Sequence, residues 1–243
     1  MAEREKDVKD KILTTVNTLF KDQVVELRVL FTSKRVDSGY FDNMNLLTEA
    51  AITYDRMRDV KGIYVTLNPV QPEILHRAKN RVLQRAGAGT TTTDKDILER
   101  RLILIDVDGA NRPAGISATG SELCKSKDKV SAIGRFLANK GFPDPFSGMS
   151  GNGYHLLYPI RLPNDDESRD LIKRSLEALS FIFDDEDTKI DTSVFNAARI
   201  TKLYGTIARK GDDTAERPHR RAAFFGLTEF SKTCQSEPNN SEN

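Results

Sequence analysis

Hydrophobic positions along the chain switch repeatedly between a helical and a strand period, and this switching lays out the expected elements. Over residues 5–22, Val8, Ile12, Val16, Leu19 and Phe20 fall on one face of an amphipathic helix. Val24–Phe31 alternates and predicts a strand, and Lys61–Leu67 predicts a second that ends at Asn68-Pro69. The spacing of Ile74, Leu75, Ala78 and Val82 predicts a helix over 73–86, stopped near Gly87. The small, polar run from Ala88 to Thr93 reads as a mobile loop. Leu102-Ile-Leu-Ile105 runs without alternation, so the strand over 101–108 reads as covered on both faces. Helices follow over 128–140, on Val130, Ile133 and Leu137, and over 166–183, on Leu171, Ile172, Leu176, Leu179 and Phe183. Strands are expected at Tyr154–Pro159 and Arg220–Phe225, and Ile190 leads into Asp191. After Ser231 the apolar residues run out, and the tail 231–243 reads as disordered. No internal repeat is present. Mixed strands and helices, with few hairpin signals in the second half, give the class as α/β (α+β).

Composition narrows the picture. With 243 residues, 38% hydrophobic and 30% charged, the chain can bury one large core or two small ones that share it. No apolar run approaches the roughly 18 residues of a membrane helix. The charged start, Met-Ala-Glu-Arg-Glu-Lys, carries no signal peptide, so no membrane partner is expected. Cys124 and Cys234 are too few for a disulfide framework, which points to a cytoplasmic protein. A net charge of +1 argues against passive coating of nucleic acid. It permits a focused phosphate site, for which Arg199–Arg221 qualifies: Arg199, Lys202, Arg209, Lys210, Arg217, Arg220 and Arg221 stand against Asp212, Asp213 and Glu216.

Three short segments place ionisable residues at the edges of apolar runs. In Leu102-Ile-Leu-Ile-Asp106-Val-Asp108, the two acids are two apart, so on a strand they share one face. Two such carboxylates repel unless a cation sits between them, and hard oxygen ligands suit Mg²⁺ or Mn²⁺. The plain alternative is a strand ending in an Asp-Gly turn. In Ser150-Gly-Asn-Gly-Tyr-His155, the glycines Gly148, Gly151 and Gly153 let backbone amides approach an anion. Ser150 and Asn152 can donate to phosphate, and His155 points to a phosphate oxygen or a carboxylate. The plain alternative is a glycine-rich turn with a structural histidine. Asp191 supplies a third carboxylate, and three carboxylates with a triphosphate match two-metal chemistry. Arg199, Lys202, Lys210 and His219 are weaker phosphate candidates. Tyr40 is a candidate for stacking on a base or on the first nucleotide, while Phe41 reads as core.

These segments resemble the motifs of the archaeo-eukaryotic primase superfamily, over roughly residues 25–225. Asp106 and Asp108 fit its first motif, Ser150 through His155 a longer loop form of its second, and Ile190-Asp191 its third. Three further stretches resemble the primase-polymerases of mobile elements, including plasmid, phage and CRISPR-associated forms: Asp108-Gly-Ala-Asn-Arg112-Pro113-Ala-Gly, Phe195-Asn-Ala-Ala-Arg199 through Gly205-Thr206, and Arg217-Pro-His219-Arg220. The resemblance implies a primase-polymerase catalytic domain over 1–230. An N-terminal α/β part, about 1–100, would pack on a sheet like that of RNA-recognition modules, about 101–230. It implies a template-dependent nucleotidyltransferase that synthesises primers and extends them with NTPs and dNTPs on single-stranded or primed DNA. Asp106, Asp108 and Asp191 would ligate two Mg²⁺ or Mn²⁺, with His155 in the catalytic set and Ser150 and His155 on the nucleotide phosphates. A helicase or CRISPR adaptation proteins are the implied protein partners. The zinc cluster and the helical accessory region of some relatives are absent, so the chain reads as a catalytic core. Leu-Ile-Asp106-Val-Asp108-Gly also resembles the opening motif of aspartyl-phosphate phosphatases, where the first Asp is a nucleophile. A catalytically weak replication initiator is the other alternative.

Overall fold

A computed structural model describes residues 2–87 and 89–230; Ala88, Cys234 and the expected disordered tail lie outside the described residues. In chain order the elements are α1 (Ala2–Phe20), β1 (Val25–Phe31), β2 (Val36–Phe41), α2 (Met44–Asp55), β3 (Val60–Thr66), β4 (Arg81–Leu83), β5 (Glu99–Gly109), α3 (Gly120–Asn139), β6 (Phe146–Met149), β7 (Tyr154–Pro163), α4 (Asp166–Phe183), β8 (Thr188–Ile190), β9 (Ile200–Lys202), β10 (Ile207–Ala208), β11 (Arg220–Arg221) and β12 (Ala223–Leu227). They build two five-stranded sheets, β4-β2-β1-β3-β9 and β12-β6-β7-β5-β8, and the short ribbon β10-β11. Every strand pair in them is antiparallel, so the expected mixed class holds in its α+β form.

Alternation decides which face each sheet buries. Val25, Leu27, Val29 and Phe31 of β1 point into the layer of α1 and α2, against Ile12, Val16, Phe20, Leu47 and Ala51. α3 and α4 cover the second sheet with Val130, Ile133, Ile172 and Leu176. In β5, Leu102, Leu104, Ile105 and Val107 are all buried, as expected for a strand covered on both faces. The two sheets divide the chain near β5, but β9 returns to pair with β3, so both halves of the chain contribute to the first sheet. Among the described residues no helix is long and apolar enough to cross a membrane.

Several local expectations are corrected. The helix expected over 73–86 is a 3₁₀ turn, Pro72–Arg77, followed by β4. Asn80 and Arg85 adopt left-handed backbone (φ 51° and 55°) that ends helical progress. The edge of β2 then captures the chain, with Leu83 opposite Ser38. β2 and α2 were not expected from the periodicity. β2 buries Asp37 and Ser38, which breaks its apolar alternation, and α2 begins at an Asn43 cap that accepts from Asn45 and Leu46 N–H. α3 starts at Gly120, eight residues before the expected helix over 128–140, because Thr119 and Glu122 form a capping box. The loop after Ala88 is pinned: Tyr40 donates to Thr90 O at 2.9 Å, and Thr92 N–H donates to buried Glu26 at 3.0 Å.

Asp55, the last residue of α2, ties the β10-β11 ribbon to the helix layer. Its Oδ1 accepts from Ile207 N–H and its Oδ2 from Arg221, each at 2.7 Å. Removing it strands a buried N–H and a guanidinium together. Asp55→Ala should cost about 3 kcal/mol, the low end for breaking a buried pair, because Arg221 is still 34% exposed. Urea unfolding measures this; a loss under about 1 kcal/mol, the level of a surface pair, would contradict the pinning role.

Candidate active site

Strand register assembles the site. Asp106 and Asp108 point from one face of β5, and β7 sets His155 directly opposite Asp106. β8 pairs with the other edge of β5, and Asp191 N–H donates to Asp106 O at 2.9 Å. Asp106, Asp108, Ser150, Asn152, His155, Asp191, Arg199, Lys202 and Lys210 line one cavity of about 270 Å³, with Leu30 and Tyr64 among the residues that complete its wall. The structure therefore brings together nine of the eleven residues singled out in the sequence.

Polar satisfaction distinguishes this cavity. Eight buried side-chain polar atoms lack a hydrogen-bond partner among the described residues, and four belong to residues lining it: Asp106 Oδ1, Asp108 Oδ1, Arg199 Nε and Thr201 Oγ1. A buried unpartnered oxygen on a carboxylate is costly unless a ligand completes it. His155 Nε2 lies 3.3 Å from Asp106 Oδ1, off the line of a hydrogen bond, and its Nδ1 is 2.7 Å from Tyr204 OH. The Asp106 carboxylate beside Nε2 favours a proton there, which leaves Nδ1 to accept from the Tyr204 hydroxyl. His155, 3% exposed, then presents Nε2–H to Asp106. Burial raises both carboxyl groups. At Asp106 the neighbouring His155, Lys210 and Arg199 outweigh it and hold the pKa low. At Asp108 burial and the Asp106 charge prevail over Arg112, and the pKa stays raised.

The donor set fits a hard divalent cation at Asp106 and Asp108, two partly exposed carboxylates that line one cavity, each with one oxygen unpartnered. The expected set of three carboxylates is not assembled. Among the described residues no group of three or more His, Cys, Asp or Glu side chains stands together as a metal centre. Asp191 Oδ1 is turned back on its own loop, where it accepts from Ser193 N–H at 2.8 Å and Ser193 Oγ at 2.6 Å.

The glycine-rich loop is corrected in the same way. Ser150 N–H donates to Gly153 O, Gly151 N–H to Met149 Sδ, and the N–H groups of Asn152 and Gly153 to Ser150 Oγ. All four amides are satisfied internally, so no open anion cradle exists. Two glycines instead permit close packing. A Cβ at Gly153 would lie 2.0 Å from Asp108 Oδ1, and one at Gly148 would lie 2.4 Å from the Tyr204 ring. Asn152 Oδ1 accepts from Ala118 N–H at 2.9 Å, which fixes the neighbouring loop.

The basic stretch 199–221 is largely committed to the protein itself. Arg209 donates to Asp55 O, Arg217 to Ser117 O and Glu122, Arg220 to Ala118 O, and Arg221 to Asp55 and Gly205 O. Lys202 is buried, and its ammonium donates to Thr206 Oγ1 (2.7 Å), Ile207 O (3.0 Å) and Ile63 O (3.4 Å). Arg199 bonds Ser193 O but keeps its Nε unpartnered. Lys210 Nζ makes no hydrogen bond or ion pair among the described residues, and its charge lowers the pKa of both Asp106 and Asp108. Two candidates lie elsewhere. His219 Nε2 sits 2.9 Å from Gly211 O and steadies the 211–219 loop. Tyr40 is buried against the 90–92 segment, so it has no free face for stacking. Arg112, Tyr204 and Tyr64 were not anticipated as site residues; the spacing of Arg112, four after Asp108, was the one available signal.

No protein-family model matches the sequence, and no curated protein matches it. The solved structures similar to it include a crystal structure of primase RepB′ (13% identity, TM-score 0.47, covering 89% of this chain and 55% of that one). They also include the polymerase domain of Mycobacterium tuberculosis Ligase D in complex with DNA (12% identity, TM-score 0.47, covering 89% of this chain and 80% of that one). The chain thus spans about half the length of the RepB′ structure.

Tyr204→Phe keeps the ring but leaves His155 Nδ1 buried without a donor. It should destabilise by about 1–3 kcal/mol and let the imidazole sample the tautomer protonated at Nδ1. Histidine ¹⁵N shifts report this directly; an unchanged Nε2–H tautomer would contradict the hydrogen-bond assignment. Lys202 gives a pH signature. Burial pushes it down from 10.5 to about 7. Between those values the unfolded chain binds a proton that the folded chain has lost, so stability rises with pH across the window. Lys202→Met should remove that rise, and urea midpoints of the two proteins should diverge toward the alkaline end. Parallel curves would show that Lys202 stays charged when folded.

Proposed function

We propose that the chain is a template-dependent nucleotidyltransferase of the primase-polymerase kind, which synthesises primers de novo and extends them on DNA with NTPs or dNTPs. The observation that carries this reading is one cavity lined by the carboxylates of Asp106 and Asp108, each with an unpartnered oxygen, together with the uncommitted donors of Lys210 and Arg199. Acceptors and donors gathered in one cavity fit a ligand that is cationic on one side and polyanionic on the other, which is the charge pattern of a metal–triphosphate.

Asp106 and Asp108 would hold Mg²⁺ or Mn²⁺ through hard oxygen ligands. Such a cation, when bound, offsets phosphate charge and lowers the pKa of an attacking hydroxyl. The chain's own residues bind and orient. Lys210 offers a point charge to the phosphates, and Arg199 Nε offers a directed donor. His155, fixed by Tyr204, turns Nε2–H toward Asp106 and limits its rotation. Leu30, Tyr64 and Val194 provide an apolar wall for the nucleoside. Their combined effect is to hold the reacting groups and the developing charge in place before reaction. Asp191, held by Ser193 through Oδ1 alone, lines the same cavity and would supply the third carboxylate for a second cation.

The test uses single-stranded DNA, with and without an annealed primer, all eight nucleotides, and Mg²⁺ or Mn²⁺. Wild-type protein should give products in both arms. Asp106→Ala or Asp108→Ala should lower both by about a hundredfold or more, the scale of several kcal/mol of charge stabilisation. Extension that persists near wild-type level in either variant would overturn the assignment.

A further inference from the structure

Asp108 has an asymmetric environment. Its Oδ1 is buried and has no partner, while its Oδ2 is 2.8 Å from Arg112 NH2. Arg112 lies in the loop between β5 and α3, yet its side chain is only 6% exposed, nearly enclosed for a guanidinium. Its second nitrogen, NH1, donates to Asn152 O at 2.7 Å. Asn152 in turn holds Ala118 N–H through its side chain, and Arg220 donates to Ala118 O. The planar fork of Arg112 therefore joins three things: the acid on β5, the Ser150–Gly153 turn, and the 110–118 loop. A lysine would lack the planar fork that holds the first two in one fixed geometry.

We propose that Arg112 is a positioning residue that fixes the plane of the Asp108 carboxylate at the cation site. By anchoring Oδ2, it holds the carboxylate plane beside Asp106 and stops it from turning. Gly153 completes the setting, since any side chain there would collide with Asp108 Oδ1. This role rests on the reading of Asp106 and Asp108 as the cation ligands.

A rival role for Arg112 has the opposite sign. If the guanidinium merely neutralised the acids in place of a cation, its removal would make the site more negative and tighten cation binding. If it orients Asp108, its removal frees the carboxylate and weakens binding, on the scale of tenfold to a hundredfold known for groups that orient metal ligands. Mn²⁺ alone is the probe, with free Mn²⁺ counted by electron paramagnetic resonance and thermal melts run in parallel to confirm folding. Arg112→Gln should raise the Mn²⁺ dissociation constant by about tenfold or more, and Arg112→Lys, which keeps the charge, should also weaken binding. Unchanged or tighter binding in folded Arg112→Gln, or full affinity in Arg112→Lys, would overturn the proposal. Asp108→Asn separates the two claims. If wild type binds Mn²⁺ and Asp108→Asn does not, the cation reading stands and the arginine series judges Arg112 alone. If wild type binds no Mn²⁺, the cation reading fails and takes this role with it.

Discussion

The register of β5 against β7 is the constraint on which the rest of the site depends. Side chains alternate along a strand, so a slip of one residue would carry Asp106 and Asp108 from the cavity into the layer of α3 and α4. Two features hold the register. Ile105 and Val107, on the face opposite the two acids, must stay buried, which fixes the faces of β5. The tight turn from β6 to β7, closed by Ser150 Oγ, fixes where β7 begins. The pairing of β7 with β6 puts Gly148 opposite His155, and the missing Cβ of Gly148 makes room for the Tyr204 ring that reaches His155 Nδ1. The two pairings of β7, with β5 and with β6, thus set the acids, the imidazole beside them and the hydroxyl that orients it.

Charge is distributed under a similar constraint. The chain carries 37 Lys and Arg against 36 Asp and Glu, which explains how a protein of net charge +1 can still present a cationic wall. Arg209, Arg217, Arg220 and Arg221 satisfy carbonyls and carboxylates of loops that would otherwise carry unpaired backbone groups. They act as staples holding 110–118 and 205–221 against the two sheets. The basic residues left with donors to give, Lys210 and Arg199, border the acids. The local field in the cavity comes from these two, with His155 between Tyr204 and Asp106.

Elements with a clean period were legible in the sequence: α1, β1, β3, α4 and the burial of β5 follow from spacing alone. Elements formed by competition were not. Residues 74–82 have helical spacing, but the open edge of β2 and the left-handed Asn80 draw them into β4. β2 hides because it buries Asp37, whose partners are Arg35, two residues before it, and the more distant Tyr54 and Arg85 N–H. The acids and His155 were legible as residues, since an ionisable group at the end of an apolar strand is unusual. Their individual states were not. Nothing in the spacing tells that Asp191 folds back on Ser193, that Lys202 is enclosed by Thr206 and two carbonyls, or that the glycines serve packing rather than an anion.

The distribution of unsatisfied groups gives a reason for this site that does not depend on any motif. A chain selected only for stability would pair Asp106, Asp108, Arg199 and Thr201 with one another or replace them, since each unpartnered buried group costs free energy. Here acceptors and donors stand in one cavity, near enough for Arg199 and Lys210 to lower the pKa of Asp106, yet they do not close on each other. Rigid strands on both sides prevent collapse: Asp106 is tied to β7 and β8 through its backbone, and Lys202 and Thr201 are fixed in β9 against β3. Local rules are broken together where the scaffold is stiffest, as expected of groups held apart for something that binds between them.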